Sequence, residues 1–414
     1  MAENLVGSEI IKLAGEIKAL QAQGRTIHNF TIGDFDPAIF PIPDELEEAI
    51  VDAYREKHTN YPAANGMAGL RKELARFILE RQGLEYSPEA FLVAGGARPL
   101  IHAVFQAVVN PNDKVLFPVP SWNNNHYTHL AHAEQIMVET SPETNFMPVL
   151  EQLQPHLATA RLVALCSPLN PTGTVFGANE LRAISQAVLD ENVRRGPENP
   201  LYIMFDQIYW TLCYGETQHV DPVSLIPAMR PYTIFIDGLS KSFAATGVRV
   251  GWAFGPDHVI DKMKSILGHI GAWAPKAEQM AAETYLKNDA AVDKYLGWIK
   301  SELSDRLDRF YKGFNGMKQA GYPVDVVAPQ GALYLTVQFP IVGYTTSKGE
   351  KIAHPRDVAA FLLNEADLAL VPFYAFGASA DATWFRLSVG TCASDSIDGV
   401  FASIRRALDG LTHA

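Results

Sequence analysis

The chain has 414 residues, of which 48% are hydrophobic and 19% charged, a composition typical of soluble globular proteins with one or more sizeable domains. Its formal net charge of −12 argues against a nucleic acid or an anionic membrane as partner, because their phosphates would repel it. The amino-terminal twenty residues lack the basic segment and apolar core of a signal peptide, and no apolar run approaches membrane-spanning length. We therefore expect a cytoplasmic protein.

The cysteines support the same compartment. Three of them, Cys166, Cys213 and Cys392, lie far apart and form no CxxC pair. This pattern indicates free thiols in a reducing environment.

Apolar periodicity predicts the elements in chain order. Helical spacing predicts helices at 8–20, 43–54 and 69–81. Short apolar runs then alternate with amphipathic segments: FLVA (91–94), KVLF (114–117), RLVALC (161–166), LYIMF (201–205), YTIFI (232–236) and VRVGWAF (248–254). This alternation predicts a largely parallel sheet covered by helices. A long charged helix at 293–314 and a shorter α+β region follow.

Chemically useful residues follow the predicted strands. Ligands of parallel α/β sheets bind beyond the carboxyl ends of the strands. Five chemical groups follow the predicted strands in chain order. They are the backbone N–H groups of GGAR (95–98), which could bind an anion, the indole ring of Trp122, the amide of Asn170, the carboxylate of Asp206 with the phenol of Tyr209, and the amine of Lys241. We expect these groups to form one site.

Lys241 is the most unusual of them. It lies among Gly, Ser, Ala and Thr residues between two apolar runs. Desolvation in such surroundings favours the neutral amine, and a neutral amine is what a Schiff base with a carbonyl compound requires. Taken alone, the segment is also compatible with a lysine on a surface loop.

Five motifs in order carry a family resemblance: YPAANGMAGLR (61–71), NPTG (170–173), DQIY (206–209), GLSKSFAATGVRVG (238–251) and FRLSVG (385–390). Together they resemble the class I/II aminotransferases related to aspartate aminotransferase, which are fold-type I pyridoxal-phosphate enzymes. The resemblance covers nearly the whole chain. It implies an α/β fold whose large domain (46–290) has a mostly parallel, seven-stranded-type sheet covered by helices. A small α+β domain is then expected from both chain ends (1–45 and 291–414).

The resemblance also implies how pyridoxal 5'-phosphate is held. Lys241 would form the Schiff base and then move the substrate's α-proton, and Asp206 would keep the pyridine nitrogen protonated. Tyr209 and Asn170 would bond the phenolic oxygen. Trp122 would stack on the ring, although a lone Trp is more often a core residue.

The phosphate needs several donors. The resemblance gives this role to the backbone N–H groups of Gly96 and Ala97 at a helix start, to Arg249, and to the Ser240 hydroxyl. Tyr61 resembles the tyrosine that reaches the phosphate of the neighbouring subunit. A homodimer with shared active sites is therefore expected.

Substrate binding is implied for four positions. Arg386 resembles the arginine that clamps the α-carboxylate bidentately, with Asn170 beside it, and Gly33 resembles a glycine that closes over the substrate. Arg98 stands where many members have a lysine. It favours an acidic substrate, but a role at the phosphate or in a surface ion pair stays open.

Two departures from the family pattern point to another substrate class. Phe373 and Tyr374 stand where relatives often have Pro-Gly, and Trp273 lies where the distal group of the substrate is expected. Both features could enclose an aromatic side chain.

These observations predict an aminotransferase that transfers nitrogen from an amino acid to a 2-oxo acid. Aspartate is the first expected donor, aromatic amino acids are the second, and 2-oxoglutarate is the expected acceptor. A lyase or decarboxylase on the same fold and a non-catalytic cofactor-binding regulator are the rival hypotheses. No metal is expected. His126, His129 and His132 are spaced by three residues, so on a helix they would not stay on one face, and no carboxylate or thiol completes a set of metal ligands.

Overall fold

The structure is a computed structural model that describes residues 9–413, with side chains described from residue 12 onward. Ser8, where the sequence predicts the first helix to begin, and Ala414 lie outside the described residues. Within that range, the α-helices in chain order are α1 (Glu9–Ala22), α2 (Asp44–Arg55), α3 (Ala68–Gln82), α4 (Ala97–Val108), α5 (Asn124–Leu130), α6 (Leu150–Leu157), α7 (Ala178–Arg195), α8 (Pro222–Leu225), α9 (Leu239–Ser242), α10 (Asp257–Ile270), α11 (Lys276–Leu286), α12 (Asp289–Gln319), α13 (Pro355–Glu365) and α14 (Ile397–Asp409).

The β-strands of the same range are β1 (His28–Asn29), β2 (Phe91–Ala94), β3 (Lys114–Val119), β4 (Glu134–Glu139), β5 (Ala160–Cys166), β6 (Tyr202–Asp206), β7 (Thr233–Gly238), β8 (Gly251–Phe254), β9 (Asp325–Val326), β10 (Tyr334–Gln338), β11 (Tyr344–Thr345), β12 (Leu368–Ala369), β13 (Val371–Pro372), β14 (Trp384–Ser388) and β15 (Thr412–His413).

A seven-stranded sheet forms the centre of the fold, with the order β2-β8-β7-β6-β5-β3-β4. Strand β8 is antiparallel to both of its neighbours, and the other pairs are parallel. The carboxyl ends of six strands therefore meet the amino end of β8 at one edge. The predicted α/β fold with a mostly parallel sheet is confirmed.

The core lies on both faces of this sheet. Along β7, Ile234 and Ile236 join one buried apolar cluster, whereas Phe235 joins the other. Phe235 and Phe254 stack with ring centroids 4.5 Å apart. Because side chains alternate along a strand, burial on both faces requires the uninterrupted apolar runs that the sequence shows.

The smaller sheets join distant parts of the chain. A four-stranded antiparallel sheet has the order β13-β14-β10-β9, and two-stranded sheets pair β1 with β12 and β11 with β15. His28, near the amino end, thus pairs with Leu368. The boundaries proposed from the sequence at residues 45 and 290 stay a prediction.

One expectation needs correction. The strand predicted at 248–254 begins only at Gly251, because Arg249 has a φ of +60° and the chain turns there. Lys241 lies on the helical turn α9. The edge strand β4 went unpredicted because it alternates between exposed and less exposed residues. In the part of the chain that the structure describes, no helix is long and apolar enough to cross a bilayer.

Candidate active site

A cavity of about 650 Å³ opens at the carboxyl edge of the large sheet. It brings together most of the residues that the sequence singles out: Gly33, Ala97, Arg98, Trp122, Asn170, Asp206, Tyr209, Ser240, Lys241, Arg249 and Arg386. These side chains come from both the strand ends of the large sheet and the smaller sheet that contains β14.

Lys241 projects into the cavity from α9. Its Nζ donates a hydrogen bond to the Gly33 carbonyl at 2.6 Å and lies 6.0 Å from the centroid of the Tyr209 ring. Burial lowers the pKa of Lys241 to about 8, against the partly opposing charge of Asp34. An amine with this pKa exists in both protonation states near neutral pH, so it can act as a nucleophile and as an acid or base.

Asp206 ends β6, and among the described residues no Lys, Arg or His forms an ion pair with it. Its Oδ1 accepts one hydrogen bond from the Ile208 N–H at 3.1 Å, and burial raises the pKa of the carboxyl to about 6. Tyr209, three positions further on, is buried and shares a hydrogen bond of 2.8 Å with the Tyr334 hydroxyl. The two groups present a carboxyl and a phenol to the same space.

Arg386 is a buried cation without an acidic partner. It lies on β14 and is only 1% exposed. Its guanidinium donates to the Asn170 side-chain oxygen at 2.9 Å and to the Thr31 carbonyl at 2.7 Å, whereas its Nε has no partner. Burial lowers its pKa, and none of the described residues places a carboxylate against it. A buried charge in this state is stabilised by an anion that enters the cavity.

The opposite end of the cavity is also positive. Gly96 precedes α4 with a φ of +93°, and a Cβ at this position would fall 2.1 Å from the Arg249 guanidinium. Arg249 donates to the carbonyls of Thr246 and Gly95, at 2.7 and 2.8 Å. A fixed guanidinium beside a helix amino end is a favourable place for an anion such as a phosphate.

The sequence profile of the family described as aminotransferase class I and II matches residues 25–404. The chain belongs to this family. It is therefore a pyridoxal-phosphate-dependent aminotransferase family enzyme, as the motifs predict.

Relatives of known structure and sequence resemble this aminotransferase along nearly its whole length. The aspartate aminotransferase of Geobacillus stearothermophilus is 30% identical, over 97% of this chain and 96% of its own. The crystal structure of the Rhizobium meliloti aspartate aminotransferase superposes with a TM-score of 0.90 at 26% identity, covering 99% of this chain and 98% of that one. The aromatic aminotransferase of Pyrococcus horikoshii gives a TM-score of 0.82 at 26% identity, with 94% and 98% covered.

Two guanidinium groups of the aminotransferase lie near one indole ring. The guanidinium carbon of Arg98 is 5.5 Å from the centroid of Trp122, and that of Arg386 is 6.0 Å from the same centroid. Arg98 is exposed and Arg386 is buried. Beside Trp122 the cavity therefore has one buried guanidinium, that of Arg386, and one exposed guanidinium, that of Arg98.

Some residues that the sequence singles out lie outside the cavity of a single aminotransferase chain. Tyr61, which is predicted to act in a partner subunit, is 81% exposed, with its ring 5.3 Å from that of Trp273. Trp273 does not line the cavity either, and Phe373 packs edge-on against Phe146 at 5.2 Å. That Trp273, Phe373 and Tyr374 enclose an aromatic side chain of the substrate stays a prediction.

Tyr334 is a residue of the cavity that the sequence analysis does not identify. This residue lines the cavity from β10 and contacts both Tyr209 and Arg386. It stands in the run ALYLTVQF, where almost every side chain is buried, so nothing separates it from a core tyrosine. Among residues 9–413 no cluster of three or more metal-binding side chains was found.

Proposed function

We propose that this aminotransferase transfers the amino group of an L-amino acid, aspartate in the first place, to a 2-oxo acid such as 2-oxoglutarate. The observation that carries the proposal is the pairing in one cavity of two cations of different kinds, the partly buried Lys241 and the buried Arg386. Lys241 has a lowered pKa and can lose its proton, whereas Arg386 stays charged without an acidic partner. An α-amino acid presents a carboxylate for the second and a proton at its α-carbon for the first.

The residues fit pyridoxal phosphate. The Arg249 guanidinium beside the amino end of α4 suits the phosphate, with the Ser240 hydroxyl near it. The Asp206 carboxyl, which has no cation of its own, suits a protonated ring nitrogen. We call this part of the cavity the cofactor end. When bound, the cofactor supplies an electron-withdrawing ring that stabilises negative charge at the substrate's α-carbon.

Each side chain of the cofactor end has a proposed task. Lys241 would be the attachment point of the cofactor and the base that accepts the α-proton, which its pKa of about 8 permits near neutral pH. Asp206 would accept a hydrogen bond from the ring nitrogen and keep that nitrogen protonated. Tyr209 would donate to the phenolic oxygen, with Asn170 beside it, and Trp122 would cover the ring face.

The substrate end of the cavity comprises Arg386, Gly33 and Arg98. Arg386 binds the α-carboxylate with two parallel N–H groups, a geometry that lysine cannot supply. Arg98 is proposed to bind the distal carboxylate, because its exposed guanidinium lies 5.5 Å from the centroid of the same Trp122 ring. Two cations near one ring suit a dicarboxylic substrate, and the relatives from Geobacillus and Rhizobium are named aspartate aminotransferases.

An aromatic donor is the second candidate. The Trp122 ring lines the cavity 6.0 Å from the Arg386 guanidinium carbon, so the substrate end offers apolar surface as well as charge. The similar structure from Pyrococcus horikoshii is named an aromatic aminotransferase.

We also propose a homodimer with shared sites. Tyr61 and its neighbour Trp273 are held together at the surface, away from their own cavity. The exposure of Tyr61 is what a contribution to the phosphate site of a partner subunit requires.

The test is the visible absorption spectrum of the protein loaded with pyridoxal phosphate, recorded while single amino acids are added without an oxo acid. Aspartate or glutamate should bleach the yellow band, and a lyase would leave it in place. Lys241→Ala should lower turnover by at least about 10²- to 10⁴-fold, because it removes the acid–base group. Lys312→Ala, at an exposed ion pair with Asp308, is the matched control. Turnover of Lys241→Ala at the wild-type rate would disprove the assignment.

A further inference from the structure

Tyr334 links two residues that the proposed function uses separately. It lies on β10, whose neighbour β14 contains Arg386. Its hydroxyl is 2.8 Å from the Tyr209 hydroxyl, and its ring centroid is 4.7 Å from the Arg386 guanidinium carbon. A Cβ added at Gly33 would fall 2.9 Å from the Tyr334 hydroxyl. Tyr334 therefore contacts the cofactor end and the substrate end at once.

The position of Tyr334 is fixed by contacts between its strand β10 and the backbone of Thr172 and Gly173. A Cβ added at Gly173 would lie 2.2 Å from the Tyr334 carbonyl oxygen, so only glycine allows this approach. The Thr336 hydroxyl donates to the Thr172 carbonyl at 2.9 Å. These contacts hold β10 against the segment that contains Asn170, which leaves the Tyr334 hydroxyl little freedom to move.

The direction of the hydrogen bond between the two phenols follows from counting protons. Each hydroxyl carries one proton. If Tyr209 gave its proton to Tyr334, it could only accept a hydrogen bond from the cofactor's phenolic oxygen. If Tyr334 donates instead, Tyr209 is free to donate to that oxygen, and accepting a hydrogen bond makes it a stronger donor.

We propose that Tyr334 is a positioning residue that donates its hydroxyl proton to Tyr209 and supports the Arg386 guanidinium with its ring. The proposal rests on the roles given above to Tyr209 and Arg386. The titratable and charged groups that face this pair of phenols are Lys241, Arg386, Cys166 and Asp34. The hydroxyl serves the cofactor end and the ring serves the substrate end, so the two tasks can be separated by substitution.

Tyr334→Phe removes the hydroxyl and keeps the ring. In the protein loaded with pyridoxal phosphate, the pH midpoint of the change in the visible band should rise by about 0.5 to 1 unit, the size expected for one hydrogen bond. The reason is that a weaker Tyr209 donor stabilises the deprotonated phenolic oxygen less. The KM for the amino acid should change by less than about threefold, since the ring still faces Arg386.

Tyr214→Phe is the matched control. Tyr214 is a buried tyrosine whose hydroxyl donates to the Ala332 carbonyl, close to the same strand, and it does not line the cavity. Its substitution should leave the midpoint unchanged. Tyr334→Leu, which also removes the ring, should in addition raise the KM by about tenfold, because Arg386 loses the nearest of its three aromatic neighbours in the described chain.

A double-mutant cycle isolates the link between the two phenols. In a Tyr209→Phe background, Tyr334→Phe should no longer shift the midpoint, because its effect passes through the Tyr209 hydroxyl. An unshifted midpoint in the single variant Tyr334→Phe, or an equal shift in both backgrounds, would overturn the proposal. Absence of any yellow band in the wild-type protein would instead reject the proposed function.

Discussion

The two ends of the cavity are built in different ways. The cofactor end is made by one sheet, since Asp206 ends β6, Lys241 follows β7 and Arg249 precedes β8. The substrate end takes Arg386 from β14 of another sheet and Gly33 from a loop near the amino end of the described chain. One end is therefore local to a sheet edge, and the other forms only when distant segments meet.

The two arginines show what this difference means for electrostatics. Arg249 is only partly buried, and backbone carbonyls accept hydrogen bonds from two of its nitrogens. Arg386 is 1% exposed, keeps an unpartnered Nε and meets aromatic rings. An incoming carboxylate should therefore gain more from Arg386, because the interaction takes place in a less polar medium. We therefore expect the substrate end to be more sensitive than the cofactor end to a change in the hydrogen-bonding geometry of its arginine.

Arg386→Lys is the strongest way to test this contrast. The lysine keeps a positive charge but cannot donate two parallel hydrogen bonds to a carboxylate. We expect kcat/KM for every L-amino acid to fall by about 10- to 150-fold, the range for hydrogen bonds to charged groups. Affinity for pyridoxal phosphate, measured by titration of the visible band, should stay within about twofold.

The matched control for that variant is Arg306→Lys. Arg306 is also buried, at 4% exposure, but it donates to the Cys392 carbonyl and to Glu302, away from the cavity. It should change stability rather than kcat/KM. If Arg386→Lys weakened cofactor binding as much as substrate turnover, the separation of the two ends would be wrong.

Asp206→Asn tests the cofactor end through stability. Burial raises the pKa of Asp206 to about 6 in the folded protein, from an ordinary value of 3.8. Between these values the folded state binds more protons than the unfolded state, so this carboxyl makes stability fall as pH rises. At about 1.4 kcal/mol per pKa unit, the loss reaches about 3 kcal/mol above pH 6.

In Asp206→Asn no carboxyl titrates at this position, so the free energy of unfolding does not fall with pH for this reason. Without cofactor, the variant should be more stable than the wild type at pH 7 to 8 and nearly equal to it at pH 4, as measured by urea unfolding. With cofactor and substrates, it should be slower, because the ring nitrogen loses its carboxylate. Asp190→Asn, at an exposed position, should show no pH-dependent difference. A difference between Asp206→Asn and wild type that did not depend on pH would contradict the assigned cause.

The same contrast explains what the sequence could predict. Residues of the cofactor end lie at the ends of apolar runs, and a sheet edge gathers such ends, so the motifs around Asp206 and Lys241 could be assigned to one site. The run 91–94 matches β2 in full. Only the local conformation of Arg249 was missed, because a positive φ outside glycine has no clear sequence signal.

Predicting the substrate end required information that spacing does not contain. Arg386 was found through its motif, but Tyr334 was not, because its strand is buried on both faces and its tyrosine looks like a core residue. The contact between Tyr334 and Tyr209 joins β10 of a smaller sheet to the turn that follows β6 of the large sheet. Periodicity assigns residues to elements, whereas such a contact depends on how the elements pack.

Arg98→Gln gives the smallest expected effect and decides the substrate class. Arg98 is exposed, so water screens its charge, and its loss should lower kcat/KM for aspartate by only about tenfold. The kcat/KM for phenylalanine should stay within about twofold, because an aromatic side chain has no carboxylate for Arg98 to bind. Arg405→Gln, also exposed but on α14, is the control for loss of one positive charge. An equal fall for both substrates would place Arg98 at the cofactor phosphate instead. Arg98 would then belong to the cofactor end. The substrate end would keep Arg386 and its aromatic neighbours, an arrangement that favours aromatic donors.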